Sequence, residues 1–381
     1  MSEVVVKNEN IDKSNSINTA IKKERYNFID LLEFIAIFFV VLYHSTIYAL
    51  NFLQESSFLY YLRYFLRALL STCCPLFFVA NGFLLFQKEF NLKKHLFKIL
   101  KFLILMVIWG LITTLFLMLI RGESLSFNQI LEYSFTLKQT WTNHLWFLRA
   151  LICIYLIFPL LKIAFDKYNK IFIYFIIICF IFSFGSRFFN MLVSVFSNLI
   201  FNYQINLNFN LFSYFSVFGP YAYSFVYFCL GGLLYLWLPK IMKISVKKRN
   251  IVAVISIVIS CTLLFLFGVF TSFNQGSMYD IVWEGYDTIF SLINVIAIFI
   301  LCINYKGKFK FLNNTIKNIS GNTLGIYFIH LILIDLTKGF IKQVPILCSF
   351  WFAVIYSFAI ILICFGLSYL IKKITIIKNI L

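Results

Sequence analysis

His44 stands late in the first long apolar run of the chain, eleven residues after Glu33 and fourteen after Asp30. An ionisable side chain in hydrocarbon costs roughly 2.5–3.5 kcal/mol on insertion scales, so it normally faces a polar interior or a reaction path. Imidazole also exchanges a proton near neutral pH, which suits it to acid or base chemistry. On a helix, eleven residues turn through about 1100°, so Glu33 and His44 share a face to within roughly 20°, with Asp30 on the same side. The same spacing puts them roughly 16 Å apart along the axis, too far for a direct hydrogen bond. A polar stripe therefore runs up the first span. The alternative is a structural histidine bonded to a neighbouring helix.

Two more histidines belong with it. Thr323, Tyr327 and His330 follow the i, i+4, i+7 pattern of one helical face. His330 lies roughly 18 Å into its span, and His44 roughly 24 Å from residue 28, so the two reach neighbouring depths on helices far apart in sequence. A shared central cavity explains this; two unrelated structural histidines are the other reading. His144 lies in the run Trp141-Thr142-Asn143-His144-Leu145-Trp146-Phe147-Leu148-Arg149 at the start of the fourth span. Tryptophan at a headgroup boundary is routinely an anchor. Indole faces beside hydrogen-bonding groups equally suit a sugar ring, with its apolar faces and polar edges. The second span carries Pro75 and Asn81-Gly82, where a freed carbonyl and a flexible backbone could line a cavity. An ordinary kink, with a helix end at Asn81-Gly82, is the plainer reading.

Positioning these groups takes a membrane bundle. The chain is 61% hydrophobic and 20% aromatic, with a mean hydropathy of +0.89, which excludes a soluble domain. Apolar runs long enough to cross about 30 Å of hydrocarbon recur at about 28–49, 66–86, 96–120, 145–165, 170–188, 214–238, 251–272, 286–304, 322–337 and 346–371. The net charge of +18 could suggest nucleic acid, but its placement argues otherwise. With a cytoplasmic N-terminus, the only lysines and arginines on or near the outer face are Arg63, Arg67, Arg121, Lys138, Arg149, Arg187, Lys338 and Lys342, of 33 in all. That bias sets both termini in the cytoplasm. The expected organisation is a flexible cytoplasmic tail over 1–24, a ten-span all-α polytopic membrane domain over 25–373, and a short cytoplasmic C-terminus over 374–381. The outer segment 186–213 reads as an interfacial helix or a cap. All nine cysteines fall inside spans, with no CxxC pair, and there is no HExxH, so neither a disulfide framework nor a metal site is expected.

Taken in order, these pieces resemble the acyltransferase-3 family of integral-membrane acyltransferases. The resemblance is carried by Asp30 and Ala36 to His44 in the first span, and by Pro75, Phe77, Phe78 and Gly82 to Leu85 in the second. Leu145 to Leu148 with Tyr155 and Pro159 carry it in the fourth span, Gly231 in the sixth, and Ser320, Thr323, Gly325 to Tyr327 and His330 in the ninth. Two positions depart from the family pattern. Glu33 stands where the family usually has arginine, and Asn81 stands where it has serine. If that arginine meets the negative charge of the donor, Glu33 inverts the local charge, and Arg25 is the nearest substitute in sequence.

The resemblance implies transfer of an acyl group, commonly acetyl, from cytoplasmic acetyl-CoA to a surface glycan or lipid-linked sugar. It implies no permanently bound cofactor and the family type without an appended extracytoplasmic esterase-like domain. His44 and His330 would be catalytic. Asp30, Glu33, Asn81, His144, Trp146, Arg149 and Tyr327 would bind substrate. A sugar hydroxyl is a poor nucleophile until a base such as imidazole takes its proton, although His44 could instead carry the acyl group covalently. Tyr327, Asn81 or Arg149 could donate to the thioester oxyanion. Abundant Ile, Lys, Asn and Phe fit an AT-rich genome such as that of a low-GC Gram-positive, so the membrane is expected to be a bacterial cell membrane. The rival class is a transporter or polysaccharide-export component that uses the polar stripe as a path.

Overall fold

A computed structural model describes residues 25–46, 51–54, 57–135, 141–201, 219–343 and 350–373. The expected tail over 1–24 and C-terminus over 374–381 lie outside them, as does Lys138. Among the described residues the chain is all-α, a polytopic membrane protein. Its helices are α1 (Asn27–Thr46), α2 (Phe58–Leu70), α3 (Cys73–Phe86), α4 (Leu92–Arg121), α5 (Phe127–Ser134), α6 (Trp146–Lys167), α7 (Asn169–Phe180) and α8 (Ser186–Phe201). They continue with α9 (Ala222–Met242), α10 (Val246–Gln275), α11 (Ile289–Cys302), α12 (Lys310–Ser320), α13 (Thr323–Gln343) and α14 (Phe350–Lys373). Nine helical stretches among the described residues are long and apolar enough to cross a membrane.

A tenth apolar helix, α11, has 14 residues and covers about 21 Å, short of a bilayer core of about 30 Å. The span expected at 286–304 thus begins only at Ile289. The preceding stretch leaves α10 at Gly276, whose φ of 66° suits a residue without Cβ, and runs to Thr288. Ile281 and Val282 of this loop are fully buried. Non-helical backbone of this kind persists inside a membrane protein where protein or a cavity surrounds it.

One expectation needs correction. Helix α3 runs unbroken through Asn81-Gly82, and the interruption lies earlier, at Ser71-Thr72 between α2 and α3. Pro75 is the third residue of α3, where its missing N–H would have no intrahelical partner. The outer segment from 186 onward starts as a continuation of α7, through a π-helical turn at Ile181–Gly185 into α8. Residues 202–213 lie outside the described ones.

Helix α1 is central, packing against α3, α11, α12, α13 and α14. Among the described helices the most extensively packed pair is α3 with α9. A Cβ at Gly82 would lie 1.8 Å from the Phe228 carbonyl oxygen, and one at Gly231 would lie 2.2 Å from that of Val79. Small residues permit this backbone approach where no hydrophobic force drives helices together in lipid.

Candidate active site

At the Asn27 end of α1, the polar stripe is tied to α12. Arg25 grips Asp30 with two nitrogens, Nη2 to Oδ1 at 2.8 Å and Nε to Oδ2 at 2.9 Å, and also donates to the Lys317 carbonyl. The hydrogen bond to Asp30 holds the Arg25 guanidinium above arginine's usual pKa. The Ser320 hydroxyl lies 2.9 Å from Asp30 Oδ1 and 2.6 Å from Glu33 Oε2. Asp30 is therefore a buried anchor between α1 and α12, and it lines neither of the two cavities described next. Arg25, the nearest sequence substitute for an arginine at position 33, is spent on that anchor.

The smaller cavity, about 200 Å³, is lined by Glu33, Asn81, Ser320, Thr323, Tyr327 and the apolar side chains of Phe77, Phe102, Phe147, Leu151 and Leu324. Asn81 is fixed within α3, donating to the Phe77 carbonyl and accepting from the Tyr155 hydroxyl at 3.3 Å. Lys98 of α4 stands beside this space, its ammonium 5.7 Å from the Phe102 ring centroid and 4.7 Å from that of Tyr155. Its spacing of four from Phe102 on one helix was the available signal, hidden among the many lysines of the basic loops.

The larger cavity, about 490 Å³, lies toward the other end of α1. Val40, Tyr43 and His44 reach it at the i, i+3, i+4 positions of α1, and Tyr327, Leu331 and Asp335 reach it from one stripe of α13. His144, in a 3-10 turn ahead of α6, completes a histidine cluster. The His330 ring centroid is 5.3 Å from that of His44 and 6.3 Å from that of His144. His330 Nδ1 lies 2.6 Å from the Tyr327 carbonyl oxygen, which can only accept, so Nδ1 carries the proton and donates. Neutral His330 then presents a lone pair at Nε2, which has no hydrogen-bond partner among the described residues. His95 is separate, stacked on Tyr155 and bonded to its carbonyl.

Tyr327 lines both cavities. Its hydroxyl donates to the His144 carbonyl, which fixes the ring as a partition between them. Phe147 packs beside it, with ring centroids 5.7 Å apart.

Of the residues singled out from the sequence, His44, His144, Trp146 and Tyr327 meet at the larger cavity, and Glu33, Asn81 and Tyr327 at the smaller. His330 is fully buried between its two partner histidines. Arg149 lines neither cavity. Sequence reasoning missed the 276–288 loop, which brings Asp280, Trp283 and Tyr286 to the larger cavity. It also missed Asp335. Cys73 and Cys74, read as buried hydrophobes, line this cavity too, with Cys73 Sγ 3.2 Å from the Tyr286 hydroxyl.

A family model described as an acyltransferase domain, that of acyltransferase-3, matches residues 26–369. No curated protein and no solved structure matches the chain.

Proposed function

Because the chain belongs to the acyltransferase-3 family of membrane acyltransferases, we propose that it moves an acetyl group from cytoplasmic acetyl-CoA to a hydroxyl of an extracytoplasmic glycan. The observation that supports this most is the pair of cavities set toward opposite ends of the bundle, parted by Tyr327 at the histidine cluster. In this reading the end with Asp30, Glu33 and the basic loops faces the cytoplasm. The narrow, largely apolar smaller cavity takes the acyl-bearing arm of the donor, and Lys98 attracts the donor's phosphates.

The acceptor enters the larger cavity, whose indole and phenol faces suit a sugar ring. Its hydroxyl gives a proton to His44, the cavity-lining imidazole, while its oxygen forms the new ester bond to the thioester carbonyl carbon. The carbon–sulfur bond then breaks, and the thiolate leaves on CoA. His330, with its proton held on Nδ1, offers Nε2 as the second proton site of the pair. The Asn81 amide, which has a second N–H beyond the one given to the Phe77 carbonyl, would donate to the thioester carbonyl oxygen as its charge develops.

The test is purified protein in proteoliposomes with labelled acetyl-CoA and a crude cell-envelope glycan fraction. Label should enter the glycan and be released by mild alkali, as an ester is. Failure to bind acetyl-CoA, together with no labelled glycan, would remove this reading and favour a transport role for the same polar path.

A further inference from the structure

The larger cavity has a charge pattern that bears on which glycans it can take. Its wall carries two carboxylates, Asp280 and Asp335, against one guanidinium, Arg121. Arg121 is already committed: Nη2 lies 2.7 Å from Asp335 Oδ2, and the guanidinium sits 4.9 Å from the Trp141 ring centroid. Arg67, behind the wall, is directed at Asp280 at 3.5 Å. Among the described residues, Arg121 and Arg67 at this space, with Lys338 beside them, are thus each paired with one of its two aspartates.

The two carboxylates have different work. Asp280 accepts from the Tyr43 hydroxyl at 2.5 Å and from the backbone N–H of Val282 and Trp283, so it shapes the loop that carries Trp283. Asp335 keeps acceptor capacity beyond its bond to Arg121, because Lys338 pairs with its Oδ1 at 3.7 Å, outside hydrogen-bond distance, and a carboxylate has further lone pairs. An independent sign of a ligand is His144. It lines the same cavity, is only 7% exposed, and neither ring nitrogen has a hydrogen-bond partner among the described residues. A buried polar group left unpaired is costly, and a hydroxyl-bearing ligand would offset that cost.

We infer that the acceptor is an uncharged sugar, its hydroxyls donating to Asp335 and pairing with His144, and that uronate- or phosphate-bearing glycans are disfavoured because the cations at this wall are already committed to Asp280 and Asp335. This rests on the transferase reading above and narrows its acceptor. The physical reason is that an anionic sugar would give up water for a wall whose cations are already paired with carboxylates, so its own charge would go uncompensated.

Fluorescently tagged full-length protein in detergent should be applied to an oligosaccharide array holding uncharged, uronate-bearing and phosphate-bearing members. Binding is expected at uncharged glycans only. Asp335→Asn strands Arg121 and should narrow the preference for uncharged over uronate-bearing glycans by roughly tenfold, with Asp335→Glu restoring it. Equal or stronger binding of anionic glycans, or no binding of uncharged ones, would overturn the inference. Acetyl transfer from labelled acetyl-CoA to the same glycans separates the two levels. Transfer to an anionic glycan overturns the charge rule and leaves the transferase standing. Selective binding of uncharged glycans without transfer to any overturns the transferase reading alone.

Discussion

At the scale of single residues, the chemistry rests on which imidazole nitrogens are free. His330 has its Nδ1–H tied to the Tyr327 carbonyl, and its Nε2 faces no described partner. His330→Asn keeps a side-chain donor for that carbonyl and removes the basic nitrogen. The variant should insert and melt like the wild type while transfer falls by about 10²–10⁴-fold, the usual worth of general-base catalysis. His44→Ala should lose transfer on the same scale, and near-normal turnover in that variant would move the base to His330 or His144. Glu33 is held by Ser320 in the smaller cavity, so Glu33→Gln should raise the KM for the donor and leave the pH dependence of kcat in place. Steady-state kinetics across pH separates these outcomes. The histidines were legible in the sequence because an ionisable group in an apolar run stands out by its cost. Asp335 was not, since it also sits in an apolar run but close to Lys338, and reads as half of a local ion pair.

At the scale of helices, close packing and one loop decide the site. Helix α3 delivers Asn81, Cys73 and Cys74, and its depth is set by the contact of Gly82 with α9 and of Gly231, on α9, with α3. A methyl group forced into such a contact typically costs about 1–3 kcal/mol, so Gly82→Ala should lower the melting temperature in detergent. Gly339→Ala, where nothing lies within 4 Å of the new carbon, is the control and should melt unchanged. The spans themselves follow from apolar length, which is why most were readable. The loop over 276–288 was not, because it has no helical period and is organised by partners far away in sequence. Tyr43 bonds Asp280 across a separation of 237 residues, and Tyr64 donates to the Tyr279 carbonyl across 215. The expected helix end at Asn81-Gly82 failed for a related reason. Gly82 serves the packing against α9, and its backbone stays helical.

At the scale of the whole molecule, Tyr327 keeps two cavities apart while the chemistry needs groups from both. Tyr327→Ala should join them and let water reach the donor, raising hydrolysis of acetyl-CoA relative to transfer to glycan. A free-CoA assay run beside the labelled-glycan assay reads that ratio. The proposed orientation follows from the basic loops, and a cysteine placed at Lys94 in a background without native cysteines should resist a membrane-impermeant maleimide in intact cells. The account's central claim is that the donor arrives at the Glu33 end and the acyl group leaves toward the Asp335 end. Sealed vesicles of both orientations, given labelled acetyl-CoA outside and glycan acceptor inside, test it most directly. Label should reach the enclosed glycan only in inverted vesicles, where the basic end faces the added donor, and that transfer should vanish with His44→Ala. Labelling in right-side-out vesicles, with none in inverted ones, would contradict it.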